Sequence, residues 1–194
     1  MARSTKEIDY TRRLSRLSGA KWKQILDVQR PYRWNIKRLD LGATLDAGCG
    51  IGRLLGHLPS GSIGVDHNKE SINLARESGY EAYTTADFFK KKFPKNRFDS
   101  LLLAHVLEHI PKEQGRKIIK KFMPYIKNNV VVICPQEKGF KTDETHVNYL
   151  SHSDIEEMLA SLGMVIDRSF SFPLSKYFGK IFTHNETVVV AKKI

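Results

Sequence analysis

The chain has 194 residues, the size of one domain, and its 41% hydrophobic content is enough for a proper core. No apolar run approaches the roughly 20 residues needed to cross a bilayer as a helix, which excludes a helical membrane span. The formal net charge is +11, and residues 1–40 supply +7 of it (11 Lys/Arg against 4 Asp/Glu), a bias that fits a nucleic acid, an anionic membrane surface, an acidic substrate or simply a solvated basic face.

No charged-then-apolar leader opens the sequence, so a cytoplasmic location is expected. Cys49 and Cys134 each end an expected strand and read as small buried side chains in a reducing compartment.

In chain order, residues 5–18 carry Ile8, Leu14 and Leu17 among charges, a weak amphipathic helix. Residues 20–39 are more apolar, and Pro31 should divide them into two helices meeting near Gln29–Pro31. Together residues 1–40 are expected to form an N-terminal helical cap, in which Trp22, Tyr32 and Trp34 either pack a lid or touch a ligand. Residues 41–194 then alternate strand and helix. Strand one is expected at 43–48, a helix at 51–58, and a turn at 59–61. Strand two follows at 62–65, ending at Asp66, and a helix at 69–78 has Glu70, Ile72, Leu74 and Ala75 inward and Gly79 as its stop. Strand three is placed at 80–84, a loop or irregular turn at 86–97, and strand four at 98–103. A helix spans 112–124 and strand five 130–134. The helix 153–162 has Ser153 as cap with Glu156 three residues on. Strands six and seven fall at 164–172 and 186–192. Helix-length connections argue a parallel sheet; the loop joining the final pair argues an antiparallel strand seven. The expected fold is α/β: a Rossmann-like seven-stranded sheet, mostly parallel, with helices on both faces.

Ligands in open α/β sheets bind beyond the carboxyl ends of the strands. At the end of strand one stands Asp46-Ala47-Gly48-Cys49-Gly50-Ile51-Gly52-Arg53. Glycines there let backbone approach a nucleoside. The spacing is G-x-G-x-G, with Arg53 where a dinucleotide fingerprint has its third glycine. Asp46, two residues before the first glycine, would repel a pyrophosphate but suits a cationic or amino-bearing ligand. Asp66, 18 residues after Gly48, can take both ribose hydroxyls or cap the next helix, although Asn68 is the better cap. Asp87 can accept from an adenine amino group, with Phe88 along the ring face, or be an ordinary loop residue. Strand four runs into Ala104-His105-Val106-Leu107-Glu108-His109-Ile110.

This series resembles motifs I to IV of the class I S-adenosylmethionine-dependent methyltransferases, and Val106–Ile110 is similar to their small-molecule branch. His146–Ser151 before the last helix matches that branch too, and the stretch from Phe170 to Thr187 resembles uncharacterised bacterial members. The resemblance covers about residues 40–192. It implies S-adenosyl-L-methionine as cofactor, with S-adenosyl-L-homocysteine as product. It assigns the cofactor to Asp46, Gly48, Cys49, Gly50, Asp66, His67, Asp87, Phe88, Ala104 and His105. Methyl transfer needs alignment and exclusion of water. A hydroxyl acceptor also needs a base, for which His105, His109 and His146 are candidates.

His105, Glu108 and His109 with His146 also resemble the E-x-x-E-H plus His metal site of small-RNA 2′-O-methyltransferases and of one quinone O-methyltransferase family. Here a histidine replaces the first glutamate, which disfavours Mg²⁺ and favours a transition metal; the expectation is no metal. The leading function is therefore methyl transfer to an O or N atom of a small molecule, sugar or glycan/lipid precursor. A metal-assisted RNA methyltransferase and a non-catalytic cofactor-binding module are the alternatives. No RNA-binding module is visible, and nucleic acid is the less favoured partner.

Overall fold

The computed structural model describes residues 30–194, with side chains from Trp34 onward. Most of the expected cap, including the 5–18 helix and Trp22, lies outside the described residues. Within them α1 (Arg30–Arg38) carries Pro31 in its first turn, where its missing N–H costs nothing.

Seven strands form one sheet: β1 (Thr44–Ala47), β2 (Ile63–Asp66), β3 (Ala82–Thr84), β4 (Phe98–Ala104), β5 (Ile126–Pro135), β6 (Met164–Phe172) and β7 (Glu186–Lys193). Their order is β3-β2-β1-β4-β5-β7-β6. The pairs from β3 to β5 are parallel, whereas β7 runs antiparallel to both β5 and β6. Strands buried on both faces read as near-continuous apolar runs, because successive side chains point to opposite sides. Thus Leu101, Leu103, Val130, Val132, Val189 and Ala191 fill the core on one face. Leu102, Val131, Ile133, Val188 and Val190 fill the core on the other, where α1 adds Ile36. Each such valine, leucine or isoleucine contributes about 1.5–3 kcal/mol by leaving water.

Helix α2 (Lys69–Glu77) starts at Asn68, whose side chain accepts from the Glu70 and Ser71 amides, as expected. It buries Ser71, Ile72 and Ala75, while Glu70, expected inward, is exposed. Helix α4 (Lys112–Phe122) passes into a 3₁₀ turn at Met123–Tyr125.

Three local expectations are corrected. No α-helix fills 51–58: turns lead to a 3₁₀ turn at Leu55–His57. Gly50 and Gly52 take left-handed φ values of 53° and 83°, and Pro59 leaves too few residues for a helix to recover. The segment 86–97 is not all loop. Thr84 accepts the Asp87 amide and starts α3 (Thr85–Lys90). The last helix, α6 (His152–Ala160), is capped by Ser151 in a box with Asp154, two residues upstream of the expected Ser153–Glu156 pair. Both serines fit the pattern, and the Ser151 hydroxyl is the one that reaches its N3 amide. A short unforeseen helix, α5 (Glu137–Phe140), follows β5.

Candidate active site

The carboxyl ends of β1, β2 and β4 meet at one edge, so the turns that follow them share a rim. After β1 the chain turns sharply, and the Gly48 and Cys49 amides both donate to the Val65 carbonyl, at 2.7 and 3.2 Å. Gly48 has φ 91°, and a Cβ there would strike the Val106 side chain. Glycine is thus required both for conformation and for room.

Asp66 ties the two turns together. Its Oδ2 accepts from the Gly50 amide at 2.9 Å and its Oδ1 from the Asn68 amide at 2.8 Å. His67, largely exposed, brings Nδ1 to 3.3 Å from the same Oδ1. The ribose reading of Asp66 is compatible with this geometry, since each carboxylate oxygen has a second lone pair. Asn68, and not Asp66, caps α2.

Asp46 lies one strand over, 2% exposed, and its Oδ2 has no hydrogen-bond partner among the described residues. Burial first, and the neighbouring Asp66 charge second, push its carboxyl up to about 7. A buried carboxyl with an open oxygen is costly unless a ligand completes it. Cys49 turns its thiol inward, against Gly64, so only its backbone can meet a ligand. Burial pushes that thiol far above its ordinary range, so it is not a nucleophile.

After β3, Asp87 is exposed, and its carboxylate accepts from the Thr84 hydroxyl at 2.7 Å. Phe88 departs from expectation. It is fully buried, with its ring 5.1 Å from Phe93, 5.4 Å from Phe122 and 5.0 Å from Tyr125. The α3 turn carries it into the core, so it has no face to offer an adenine ring.

Ala104 ends β4, and His105 follows in a left-handed conformation, φ 57°, which is uncommon for a residue with a Cβ. That turn aims the imidazole between two buried carboxylates. Nδ1 is 3.2 Å from Glu108 Oε1 and Nε2 is 2.8 Å from Glu186 Oε1. Burial opposes charge on the ring, but the two carboxylates outweigh it and hold the imidazole up to about 10. The ring is 40% exposed, so solvent screens part of this attraction. At neutral pH His105 is an imidazolium whose two N–H groups donate to carboxylates. It is therefore not the base expected from its position. Burial opposes the Glu108 charge too, yet His105 holds that carboxyl low, whereas burial wins at Glu186 and raises it.

Glu186 is the residue that sequence reading missed. It opens β7 opposite Pro135 and Phe172, 81 residues from its partner. Its only sequence signal is an acidic residue at the head of the apolar run Thr187–Ala191.

His109 and His146 come together with Glu108. The Val147 and Asn148 amides both donate to the Glu108 carbonyl and dock the 146–148 segment there. The two imidazole centroids are 4.8 Å apart. His109 Nδ1 faces the Thr145 carbonyl and hydroxyl at 3.3 and 3.0 Å, and His146 Nδ1 faces the Phe140 carbonyl at 2.8 Å. Burial is the main cause that lowers the His109 pKa, so this ring is neutral near pH 7. One ligand atom each from Glu108, His109 and His146 lies within 4.8 Å of the others. Of the four residues in the metal-like sequence pattern, these three converge, while His105 bridges Glu108 and Glu186.

This sheet, with a glycine turn and carboxylates gathered at its carboxyl edge, defines an α/β protein of doubly wound type. Residues 45–134 match the family model described as a methyltransferase domain. The chain shares its fold with magnesium protoporphyrin IX methyltransferase from Synechocystis PCC 6803, solved with bound S-adenosylhomocysteine, at 15% identity and a TM-score of 0.64, covering 89% of this chain and 92% of that one. It also resembles a SAM-dependent methyltransferase from Archaeoglobus fulgidus, at 20% identity and a TM-score of 0.58, covering 88% and 99%. A third similar structure is a plantazolicin methyltransferase in complex with S-adenosylhomocysteine, at 14% identity and a TM-score of 0.57, covering 87% and 86%. No curated protein matches the chain by sequence.

Proposed function

We propose that the chain binds S-adenosyl-L-methionine at this rim and transfers its methyl group to an O or N atom of a small molecule, sugar or glycan/lipid precursor. The observation that carries the reading is Asp46: a buried carboxyl with an open oxygen, beside a glycine turn pinned by a second carboxylate. In this reading Asp46 meets the cofactor's ammonium end. Asp66 holds the ribose with its remaining lone pairs, with His67 beside it, and Asp87 reaches the adenine. Backbone at Gly48, Cys49 and Gly50 lies along the ligand, and Ala104 with His105 closes the floor. Residues 41–194 form the catalytic domain of this reading, and the protein works in the cytoplasm. Among the described residues no helix is long and apolar enough to cross a membrane.

The step itself is an in-line displacement at the sulfonium methyl, for which this chain supplies alignment. His105, clamped by two carboxylates, fixes the turn after β4 as a charged brace. Deprotonation of a hydroxyl acceptor falls to His109, which is neutral near pH 7, or to His146.

The sign of the Asp46 shift gives a test. Its pKa is raised above the ordinary 3.8 to about 7, so the empty folded site binds a proton that the unfolded chain releases. Stability from this group is present below about pH 4 and is lost as pH rises toward 7. An ammonium ligand reverses the preference and expels the proton. Calorimetric affinity for S-adenosylhomocysteine is therefore expected to rise by up to about tenfold per pH unit from pH 5 to 7 and then level off. Asp46→Asn should flatten the profile and weaken binding. A wild-type profile flat over that range would contradict the assignment.

The convergence of Glu108, His109 and His146 favours one second reading, in which a transition metal assists the acceptor. Two imidazoles and one carboxylate suit Zn²⁺, Mn²⁺ or Fe²⁺ better than Mg²⁺. This reading predicts that Co²⁺ added to the protein develops visible d–d absorption at one equivalent and that His146→Ala abolishes it. A featureless spectrum would remove the metal and leave the histidines as bases.

A further inference from the structure

Between β6 and β7 the chain makes a loop at the carboxyl edge of the sheet, since Phe172 and Pro135 both stand opposite Glu186. Four large apolar side chains on it face solvent within eight residues: Leu174, Tyr177, Phe178 and Ile181. Tyr177 is 79% and Ile181 71% exposed. A patch of this kind marks an interaction surface.

The loop is not slack. Asn185, fully buried, accepts from the Leu174 amide at 2.9 Å and donates to the Ser175 carbonyl at 3.1 Å and to Gln136 Oε1 at 2.7 Å. Gln136 in turn donates to the Ser171 hydroxyl at 2.7 Å. Gly179, buried in the 3₁₀ turn Lys176–Lys180, packs so closely on Gln136 that a Cβ would collide with it. A saturated polar network thus holds the apolar side chains out in water.

Charge says what they meet. Residues 173–185 contain Lys176 and Lys180 and no acidic residue. The adjacent α5 segment, residues 136–142, adds Lys138 and Lys141 against Glu137 alone. All four lysines are exposed. A second copy of the chain placed by two-fold symmetry would set these lysines against each other. Aromatic and aliphatic side chains interleaved with lysine are instead the chemistry of an anionic bilayer interface, where rings and methyls enter the headgroup layer and ammonium groups stay with the phosphates.

We propose that the loop 174–181 docks the protein on an anionic phospholipid surface, with Tyr177 and Ile181 inserted and Lys176 and Lys180 against the headgroups. Combined with the methyl-transfer reading, on which this last step rests, the acceptor side then faces the membrane and suits a lipid-borne acceptor.

Co-sedimentation of the full chain with vesicles tests this. Phosphatidylcholine vesicles containing phosphatidylglycerol should bind it, and pure phosphatidylcholine vesicles far less. Tyr177→Ser/Ile181→Ser and Lys176→Glu/Lys180→Glu should each reduce partitioning about tenfold. Affinity for S-adenosylhomocysteine, measured on the same samples, should stay at the wild-type value and show that both variants are folded. Wild-type protein that ignores the mixed vesicles overturns the proposal. So do variants that bind as wild type, which would place the contact on other basic residues. A dimer in solution that Tyr177→Ser/Ile181→Ser disrupts also overturns it, because the patch would then be a protein interface. Vesicle binding without cofactor binding would keep the surface and sink the methyltransferase reading; the reverse pattern would do the opposite.

Discussion

Phe88→Ala is expected to destabilise the protein by about 3–5 kcal/mol, the range for deleting a fully buried phenylalanine ring. The ring is 0% exposed and sits at the centre of an aromatic group with Phe93, Phe122 and Tyr125. It joins α3 to the end of α4 across one face of the sheet, so the cavity has little room to collapse. Phe88→Leu keeps most of the volume and should cost less, about 1.5 kcal/mol. Urea midpoints measure both. The leucine variant also separates two roles for the residue. Since Phe88 packs in the core, its affinity for S-adenosylhomocysteine should remain that of the wild type. A role in stacking on adenine would show the opposite pattern, lost affinity with stability nearly unchanged.

Asp66→Ala should lower affinity for S-adenosylhomocysteine roughly 100-fold, or about 3 kcal/mol, by removing charge-assisted hydrogen bonds to the ribose. The structure adds a second effect. The Gly50 and Asn68 amides both donate to this carboxylate, so alanine leaves two N–H groups without their acceptor. Each loses about 1–3 kcal/mol where it stays shielded from water. Asp66→Asn distinguishes the contributions, because one carbonyl oxygen can still serve an amide while the charge is gone. The asparagine variant is expected to melt closer to wild type than alanine does and yet to bind ligand poorly. Wild-type affinity in both variants would mean that the residue only fastens the two turns.

Much of the architecture is written in local pattern. The apolar runs at 98–103 and 186–192, and the helix-length spacing between strands, announce a sheet covered on both faces, and β7 runs antiparallel where a loop rather than a long helix joins it to β6. Helix punctuation is also legible at Asn68 and at Gly79, which takes φ 85°. Errors arise where two local signals compete. Ser151 and Ser153 both offer a cap, and only the folded backbone decides between them. The glycines of the turn after β1 also prevent the helix expected after it.

The site divides in the same way. The carboxylates at strand ends are readable because strand ends are readable. His105 is not, because its partner Glu186 lies 81 residues away on the strand that inserts between β5 and β6. Position alone suggests a base; two buried carboxylates convert the ring to a charged brace. His109 and His146 could be named from sequence, but their pairing depends on the Glu108 carbonyl gathering the 146–148 segment.

The central claim is that one nucleoside pocket is formed by the turns after β1, β2 and β3. A crystal structure of the protein with S-adenosylhomocysteine measures it most directly. The ribose hydroxyls should lie on Asp66 and the ammonium group beside Asp46, with the nucleoside along the backbone of Gly48–Gly50. Ligand bound in another cavity, with Asp46 and Asp66 both remote from it, would contradict the account.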